Sequence, residues 1–423
     1  MRLLYTLLWW LLMPLMFVRL WWLGARAPAY RGRWRERMGY GYQQRLSECV
    51  WVHAVSVGET LAAAPMIEAL LQRYPDMPLV VTTTTPTGSE RVQALFAGRV
   101  IHVYWPWDAP GPVRRFWRAF NPKLVILLET ELWPNLVANA RRHRVPVVLA
   151  NGRLSARSHR GYSRLRGLMR PMLQSLDGLA VQTAIEGERF VDLGADPARV
   201  TVTGNVKFDI DLDDSLRARA AALREQFRGR PVWIAASTHP GEDEVVLAAH
   251  QQLRKRHGEA LLVLVPRHQE RFDQVAAQVT GCGETLARRS RQDSVGAQTS
   301  VYLADTMGEL LMLYGAADIA FVGGSLVPVG GHNLLEPALW AKPVITGPVL
   351  HNFSLISDLL GAAGAHRLVQ NSDELAALLD TLFSHPDQCR QMGERAAQVV
   401  EQHRGALASL LTMLARHWPR QAQ

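Results

Sequence analysis

From about residue 46 onward, short apolar, β-branched runs alternate with longer segments whose apolar positions recur at helical spacing. CVWVHAVS, PLVVTTTT, RVIHVYWP, KLVILLE and VVLANGR read as buried strands bounded by turn residues, and DGLAVQ and RVTVTG extend the series. Between them, TLAAAPMIEALLQRYP and LWPNLVANARRHR read as helices. Alternation of this kind predicts a parallel sheet with helices on both faces. The rhythm pauses at DIDLDDSLRARAAALREQFRGR, residues 209–230, which is charged and poor in strand formers. It restarts with PVWIAAST, ALLVLVPRH, SVYLADT, IAFVGGS and KPVITGP. The pattern therefore predicts two doubly wound Rossmann-like α/β domains, residues 46–208 and 231–423, joined by a linker at 209–230. Ligands of open α/β sheets bind beyond the carboxyl ends of the strands, so two such domains are expected to face a shared cleft.

The first 45 residues follow a different rule. LLYTLLWWLLMPLMFVRLWWL, from Leu3 to Leu23, has only Thr6 and Arg19 as strongly polar residues. About twenty such residues suffice to span a bilayer. The pairs Trp9–Trp10 and Trp21–Trp22 sit at two levels, as in an aromatic belt. Arg19, Arg26, Arg31, Arg33, Arg35, Arg37 and Arg45 follow against few acids, which places the bulk of the chain on the cytoplasmic side. Ala25-Arg26-Ala27 is a faint match to a cleavage site, but Pro28 and the arginines oppose export. Pro14 and Arg19 interrupt the span, so a helix lying flat in the membrane interface competes with a crossing one.

Composition adds limits. The 423 residues exceed one hydrophobic core, and 48% hydrophobic with 20% charged content is ordinary for a globular protein. Cys49, Cys282 and Cys389 lie far apart, which suits a reducing compartment and argues against a disulfide framework or zinc site. A formal net charge of +9 points to an acidic partner. RLSARSHRGYSRLRGLMR concentrates part of it, with Arg153, Arg157 and Arg160 as candidate contacts for a phosphate-bearing acceptor or anionic lipid head groups. With Tyr162 its one aromatic, this stretch does not suit nucleic acid.

Chemistry gathers at the strand ends. In the C-terminal half, Gly323, Gly324, Gly330 and Gly331 let backbone approach a ligand, and Asn333 and Glu336 match a capping box that places a helix start near Asn333. Pro266 and Arg267 end another strand, where an arginine can clamp phosphate. Met307, Gly308 and Glu309 stand at a further helix start. Together they suggest a nucleotide site. In the N-terminal half Glu59, Glu129 and Glu131 end strands and suit hydroxyl activation, while Lys207 suits developing negative charge. Glu59 reads equally well as a helix N-terminal acid. Asp209-Ile-Asp211-Leu-Asp213 resembles a metal-binding D-x-D but reads as a false positive, and His53 as a core histidine.

HAVSVGET, TTTTPTGSERV, ETELWPN, NGRLSARS, VTGNVKFD, VPRH, DTMGELLMLYG and FVGGSLVPVGGHNLLEPA, in that order, resemble the 3-deoxy-D-manno-octulosonic acid (Kdo) transferases of Gram-negative bacteria. The resemblance covers nearly the whole chain. It implies a GT-B fold with an N-terminal membrane anchor, and an inverting transfer of Kdo from CMP-Kdo to the 6′-hydroxyl of a tetraacylated lipid A precursor. It implies a place on the cytoplasmic side of the inner membrane, with inner membrane lipids as partners. It casts Glu59 as proton acceptor, Glu129 and Lys207 as transition-state stabilisers, and Pro266, Arg267, Met307–Glu309, Asn333, Leu334, Leu335 and Glu336 as CMP-binding. No cofactor and no protein-bound metal are expected. Leu334 departs from the family pattern, which usually has proline there. The rivals are another membrane-associated GT-B transferase using a UDP-sugar, and a non-catalytic nucleotide-binding scaffold.

Overall fold

The computed structural model describes residues 1–419. The chain forms two compact units, Met1–Asp209 with the C-terminal stretch from Arg404, and Ile210–His403.

The first unit holds a seven-stranded sheet, β1 (Cys49–His53), β2 (Leu79–Thr83), β3 (Ile101–Tyr104), β4 (Pro122–Leu128), β5 (Val147–Gly152), β6 (Gly178–Val181) and β7 (Val200–Val202). The order is β3-β2-β1-β4-β5-β6-β7, with every pairing parallel. Helices cover both faces, so the inner strands are buried on both sides and read as continuous apolar runs, while the edge strands β3 and β7 are partly exposed. In β1, Cys49 and Trp51 enter one core layer, and Val50 and Val52 the other. The first layer is aromatic, with Trp51 stacked on Phe116 at 4.0 Å. The chain reverses its direction of winding between β1 and β4, the point where an open sheet parts its loops to admit a ligand.

The second unit repeats the plan with β8 (Val232–Thr238), β9 (Leu261–Pro266), β10 (Leu286–Arg288), β11 (Val301–Leu303), β12 (Ile319–Val322), β13 (Val344–Thr346) and β14 (His366–Leu368). Its order is β10-β11-β9-β8-β12-β13-β14, again all parallel, with the switch point between β8 and β12. Leu262 and Leu264 of β9 face one core layer, and Leu261, Val263 and Val265 the other. The edge strands β10 and β14 have three residues each and escaped the sequence pattern.

Two domain limits differ from the sequence reading. Residues 209–230 are not a linker: Asp214–Gln226 is a helix whose Ala220 and Leu223, with Phe227 just beyond, enter the core beside Met312 and Leu313. Their spacing with Leu216 is helical, masked by the intervening arginines. Nor does the C-terminal unit run to the chain end. The helix Ala406–His417 buries Ala406, Leu410, Met413 and Leu414 with Met66 and Ile67 of the first unit, and Trp418 stacks on Tyr74 at 3.9 Å. The Asp209 carboxylate accepts the N–H of Gly405 at 2.7 Å and of Leu407 at 2.5 Å, so the chain leaves and re-enters this unit at adjacent points. Asp213 caps the helix after it, accepting from Leu216 N–H at 2.7 Å. Asp209 and Asp213 of the D-x-D-like run thus serve helix ends.

The helix Arg2–Arg26 is long and apolar enough to cross a membrane. It docks lengthwise on the first unit. Tyr5 donates to Asp108 at 2.9 Å, Thr6 donates to Asn135 at 3.0 Å, Met13 is buried, and Phe17 packs on Trp107 at 4.7 Å. Asp108 also accepts the N–H of Asn135 at 2.9 Å and Leu136 at 2.7 Å, supplying from a neighbouring loop the cap that the helix Pro134–His143 lacks in its own sequence. The opposite face, Leu3, Leu7, Leu11, Leu15, Val18 and Trp22, is exposed.

Candidate active site

Glu59 and Glu129 follow β1 and β4, the two strands at the first unit's switch point. Ser56 caps the helix Val57–Arg73, its hydroxyl accepting from Glu59 N–H at 3.4 Å and donating to Glu59 Oε1 at 3.3 Å. Glu59 Oε2 in turn accepts Val55 N–H at 2.9 Å. The sequence left Glu59 between helix cap and base; the geometry is that of a cap, and the electrostatics suit a base as well. Burial pushes the Glu59 carboxyl up to about 7, against the pull of the Val55 N–H, with Glu131 and Glu129 adding to the rise. A carboxyl poised there exchanges a proton readily at neutral pH.

Glu129 adopts a left-handed backbone, φ 52°, as does Asn151 at the end of β5, φ 53°. Such conformations cost about 1–3 kcal/mol for a non-glycine residue and concentrate at functional sites. They turn Glu129 toward Lys207, whose Nζ lies 3.4 Å from Glu129 Oε1. Lys207 sits on a single 3₁₀ turn, Val206–Phe208, set by two asparagines. Asn205 accepts Lys207 N–H at 3.0 Å, and buried Asn151 accepts Val206 N–H at 3.2 Å. Glu131 is held by Trp133 Nε1 at 3.0 Å. His53 is a core histidine, buried and bonded to Thr82 Oγ1 at 2.8 Å, yet its Nε2 has no hydrogen bond and lies 3.7 Å from Glu131. The sequence did not single out Asn151 and Asn205; an asparagine after a strand is too common a turn residue to stand out.

Of the basic stretch, Arg153, Arg157 and Arg160 are exposed and form no ion pair among the described residues. His159 and Arg166 pair with Asp192 at 2.9 and 2.6 Å, and Arg166 and Arg170 line a surface cavity of 710 Å³.

In the second unit, Pro266 closes β9, buried, and Arg267 beyond it is exposed. Met307 is exposed and Gly308 takes φ 83°. Glu309 is not an open carboxylate: Arg289 grips both its oxygens at 2.5 and 2.6 Å, and this pairing holds its carboxyl down at about 2. Leu334 and Leu335 are fully buried, so only backbone there can meet a ligand. The helix expected near Asn333 is one turn, Leu335–Leu339, and the capping box does not form. Asn333 instead accepts Leu335 N–H and donates to Glu336, both at 3.1 Å. Burial raises the Glu336 carboxyl, opposed by that bond and by Arg267.

The glycine-rich loop after β12 is occupied by the protein itself. Glu242, with no exposure to solvent, accepts the N–H of His239 at 2.9 Å and Gly324 at 2.7 Å on one oxygen. Its other oxygen accepts from Ser325 at 3.0 Å and Leu326 at 2.9 Å. A nest of amides that the sequence offers to a ligand is therefore filled by a carboxylate 82 residues earlier.

Seven parallel strands, doubly wound, in each of two units are the GT-B architecture. UDP-GlcNAc 2-epimerase from Neisseria meningitidis, solved with UDP-GlcNAc, shares the fold at TM-score 0.57 and 16% identity, over 87% of this chain and 100% of that one. The chain belongs to the 3-deoxy-D-manno-octulosonic acid transferase family. Residues 32–210 match the family described as 3-deoxy-D-manno-octulosonic-acid transferase (kdotransferase). The transferase of Haemophilus influenzae is 40% identical over 419 residues, 98% of each chain. That of Bordetella pertussis is 38% identical over 416 residues, 96% of this chain and 92% of the relative. The chain is thus a glycosyltransferase of lipopolysaccharide biosynthesis that handles Kdo.

Proposed function

We propose that this chain transfers Kdo from CMP-Kdo to the 6′-hydroxyl of a tetraacylated lipid A precursor, releasing CMP. The observation that carries the mechanism is the carboxyl of Glu59, pushed up to about 7 by burial beside Glu131 and Glu129. Glu59 takes the proton of the acceptor hydroxyl, whose oxygen attacks the anomeric carbon of Kdo. The bond from that carbon to the phosphate oxygen breaks, CMP leaves with the electron pair, and attack from the opposite face inverts the centre. Lys207 and Glu129 form an ion pair at 3.4 Å and stabilise the charge separated in this step. The donor nucleotide belongs to the second unit, at Pro266, Arg267, Met307–Glu309 and Asn333–Glu336.

The acceptor reading rests on the exposed Arg153, Arg157 and Arg160, which suit the phosphates of a lipid A precursor. It rests also on the exposed apolar face of the N-terminal helix. A helix docked lengthwise on a folded unit, with only its outer face apolar and open, suits a protein lying in the cytoplasmic interface of the inner membrane.

The test is Kdo transfer by Glu59→Gln, with CMP affinity measured alongside and UDP-sugars offered as donors. A loss of about a hundredfold or more with CMP affinity retained supports Glu59 as base. Transfer near the wild-type rate removes that role. Transfer from a UDP-sugar in place of CMP-Kdo overturns the donor.

A further inference from the structure

Two histidines at the second unit's switch point are claimed by none of the roles above. His239 follows β8, and His332 lies on the loop between β12 and the helical turn Leu335–Leu339. Their Nε2 atoms are 2.8 Å apart and their rings lie nearly parallel, at 8°. His268, at the end of β9, meets His239 edge-on at 5.1 Å. Arg267, which begins the same turn, is close enough to act electrostatically on His239, His332 and Glu336.

The pair is built in, and Glu242 builds it. One of its oxygens takes the N–H of His239 and the other ties Ser325 and Leu326, so a single buried carboxylate fixes both strand ends that carry the histidines. The strand end beneath His239 is fixed a second time. Arg271 donates to Thr238 O at 2.9 Å and is ion-paired with buried Asp243, and Arg267 N–H donates to the same carbonyl at 3.0 Å. Gly324, at φ 65°, lets His332 pack against the loop, where a Cβ would stand 2.8 Å from its ring. Because Glu242 takes the amides of His239, Gly324, Ser325 and Leu326, an anion at this switch point cannot use those four, and the side chains of Arg267 and the two histidines stand beside them.

We propose that His239 and His332, beside Arg267, hold the phosphate of the donor nucleotide and take up one proton as it arrives. This rests on the reading of the second unit as the CMP-Kdo unit. The proton count follows from the hydrogen bond. With both rings neutral, one Nε2–H donates to the other Nε2, and the donating ring keeps a bare Nδ1. An incoming phosphate favours protonation of that Nδ1, which turns the pair into a cation with an N–H on each outer nitrogen. The surroundings hold the pair neutral beforehand. Burial, then His239, Arg267 and His268, holds His332 down at about 4. Burial lowers His239 as well, with His268, Arg271 and Arg267 adding and Glu242 opposing. Glu336, Asp243 and Glu270 are the other acids of these strand ends, and they face Asn333, Arg271 and, at 3.9 Å, His268. His351, beside Gly330, is the remaining titratable neighbour on the loop side. A pair kept neutral until the phosphate binds also releases CMP more readily than a fixed cation would, since it can give the proton back.

Calorimetry of the full chain with CMP and with cytidine, in buffers of different ionisation enthalpy just above neutral pH, tests this. CMP binding should draw a proton from the buffer, and cytidine binding should not. His239→Gln and His332→Gln should each abolish the uptake and weaken CMP about ten- to hundredfold, with cytidine affinity unchanged. Wild-type binding of CMP without proton uptake, or variants that bind CMP as tightly as wild type, overturns the proposal and leaves the donor reading intact. Parallel losses for CMP and cytidine make the pair structural and also overturn it. A wild-type chain that binds neither ligand removes the donor reading itself.

Discussion

Lys207 Nζ lies 3.4 Å from Glu129 Oε1 although 78 residues separate them in the chain. Each is delivered by its own device. Glu129 is turned by a left-handed residue at the end of β4, and Lys207 by an asparagine-capped 3₁₀ turn after β7. The pair is worth little as a surface salt bridge, both partners being partly exposed. Its value is positional, and that can be measured.

Asn205→Ala removes the bond to Lys207 N–H and frees the turn. Kdo transfer should fall about tenfold or more in kcat with little change in KM for the donor. Stability should fall by about 1 kcal/mol, the usual loss for a cap. Lys207→Ala should lose about a hundred- to thousandfold in kcat with the thermal midpoint nearly unmoved. Steady-state kinetics beside thermal melts separates the two effects.

The base must be a carboxylate to accept a proton, so activity should rise with pH and level off above about 7, where Glu59 ionises. Burial and the negative charges of Glu131 and Glu129 raise this group. Removing one of them in Glu131→Gln should move the acid limb of the pH profile to lower pH. A limb that stays in place would assign it to another group.

Gly393 lies in the helix Pro386–Gln402, where helix propensity alone favours alanine by about 1 kcal/mol. A Cβ there collides with the Ala341 carbonyl. Because the obstacle is backbone, which cannot swing aside, Gly393→Ala should destabilise by about 2–3 kcal/mol. Urea unfolding gives the sign directly.

Leu3 and Leu11 are 84% and 71% exposed on the outer face of the N-terminal helix, and Met13 on the inner face is 4% exposed. Leu3→Glu with Leu11→Glu should abolish sedimentation with anionic vesicles while leaving the fold intact. Met13→Glu should unfold the docking of the helix. A cysteine placed at Arg2, exposed at the helix start and off its apolar face, should react with an impermeant thiol reagent added from the side of the folded units; protection from that side would mean the helix crosses.

The sequence by itself determined most of the scaffold. Strands buried on both faces are apolar or β-branched at nearly every position, so most of the twelve from β1 through β13 apart from β10 announce themselves as short apolar runs. The partly exposed β3 and β7 do so by their β-branched residues. Acids after β1 and β4, and the lysine after β7, stand where a doubly wound sheet exposes its loops, and they were legible for that reason. The edge strands β10 and β14 were not, because Arg288 in one and His366 and Arg367 in the other break their apolar runs. The helix Asp214–Gln226 hid behind its arginines, and nothing local tells the helix Ala406–His417 to return to the first unit.

Tertiary structure alone decided what the glycine-rich loop does. Its residues advertise an anion site, and the fold fills that site with Glu242 and sets His332 against His239, 93 residues away. Periodicity and turn chemistry record how each residue meets its chain neighbours and whether it is buried. Which buried carboxylate meets which amide is fixed only when two strand ends are brought side by side, and that pairing is a property of the sheet order.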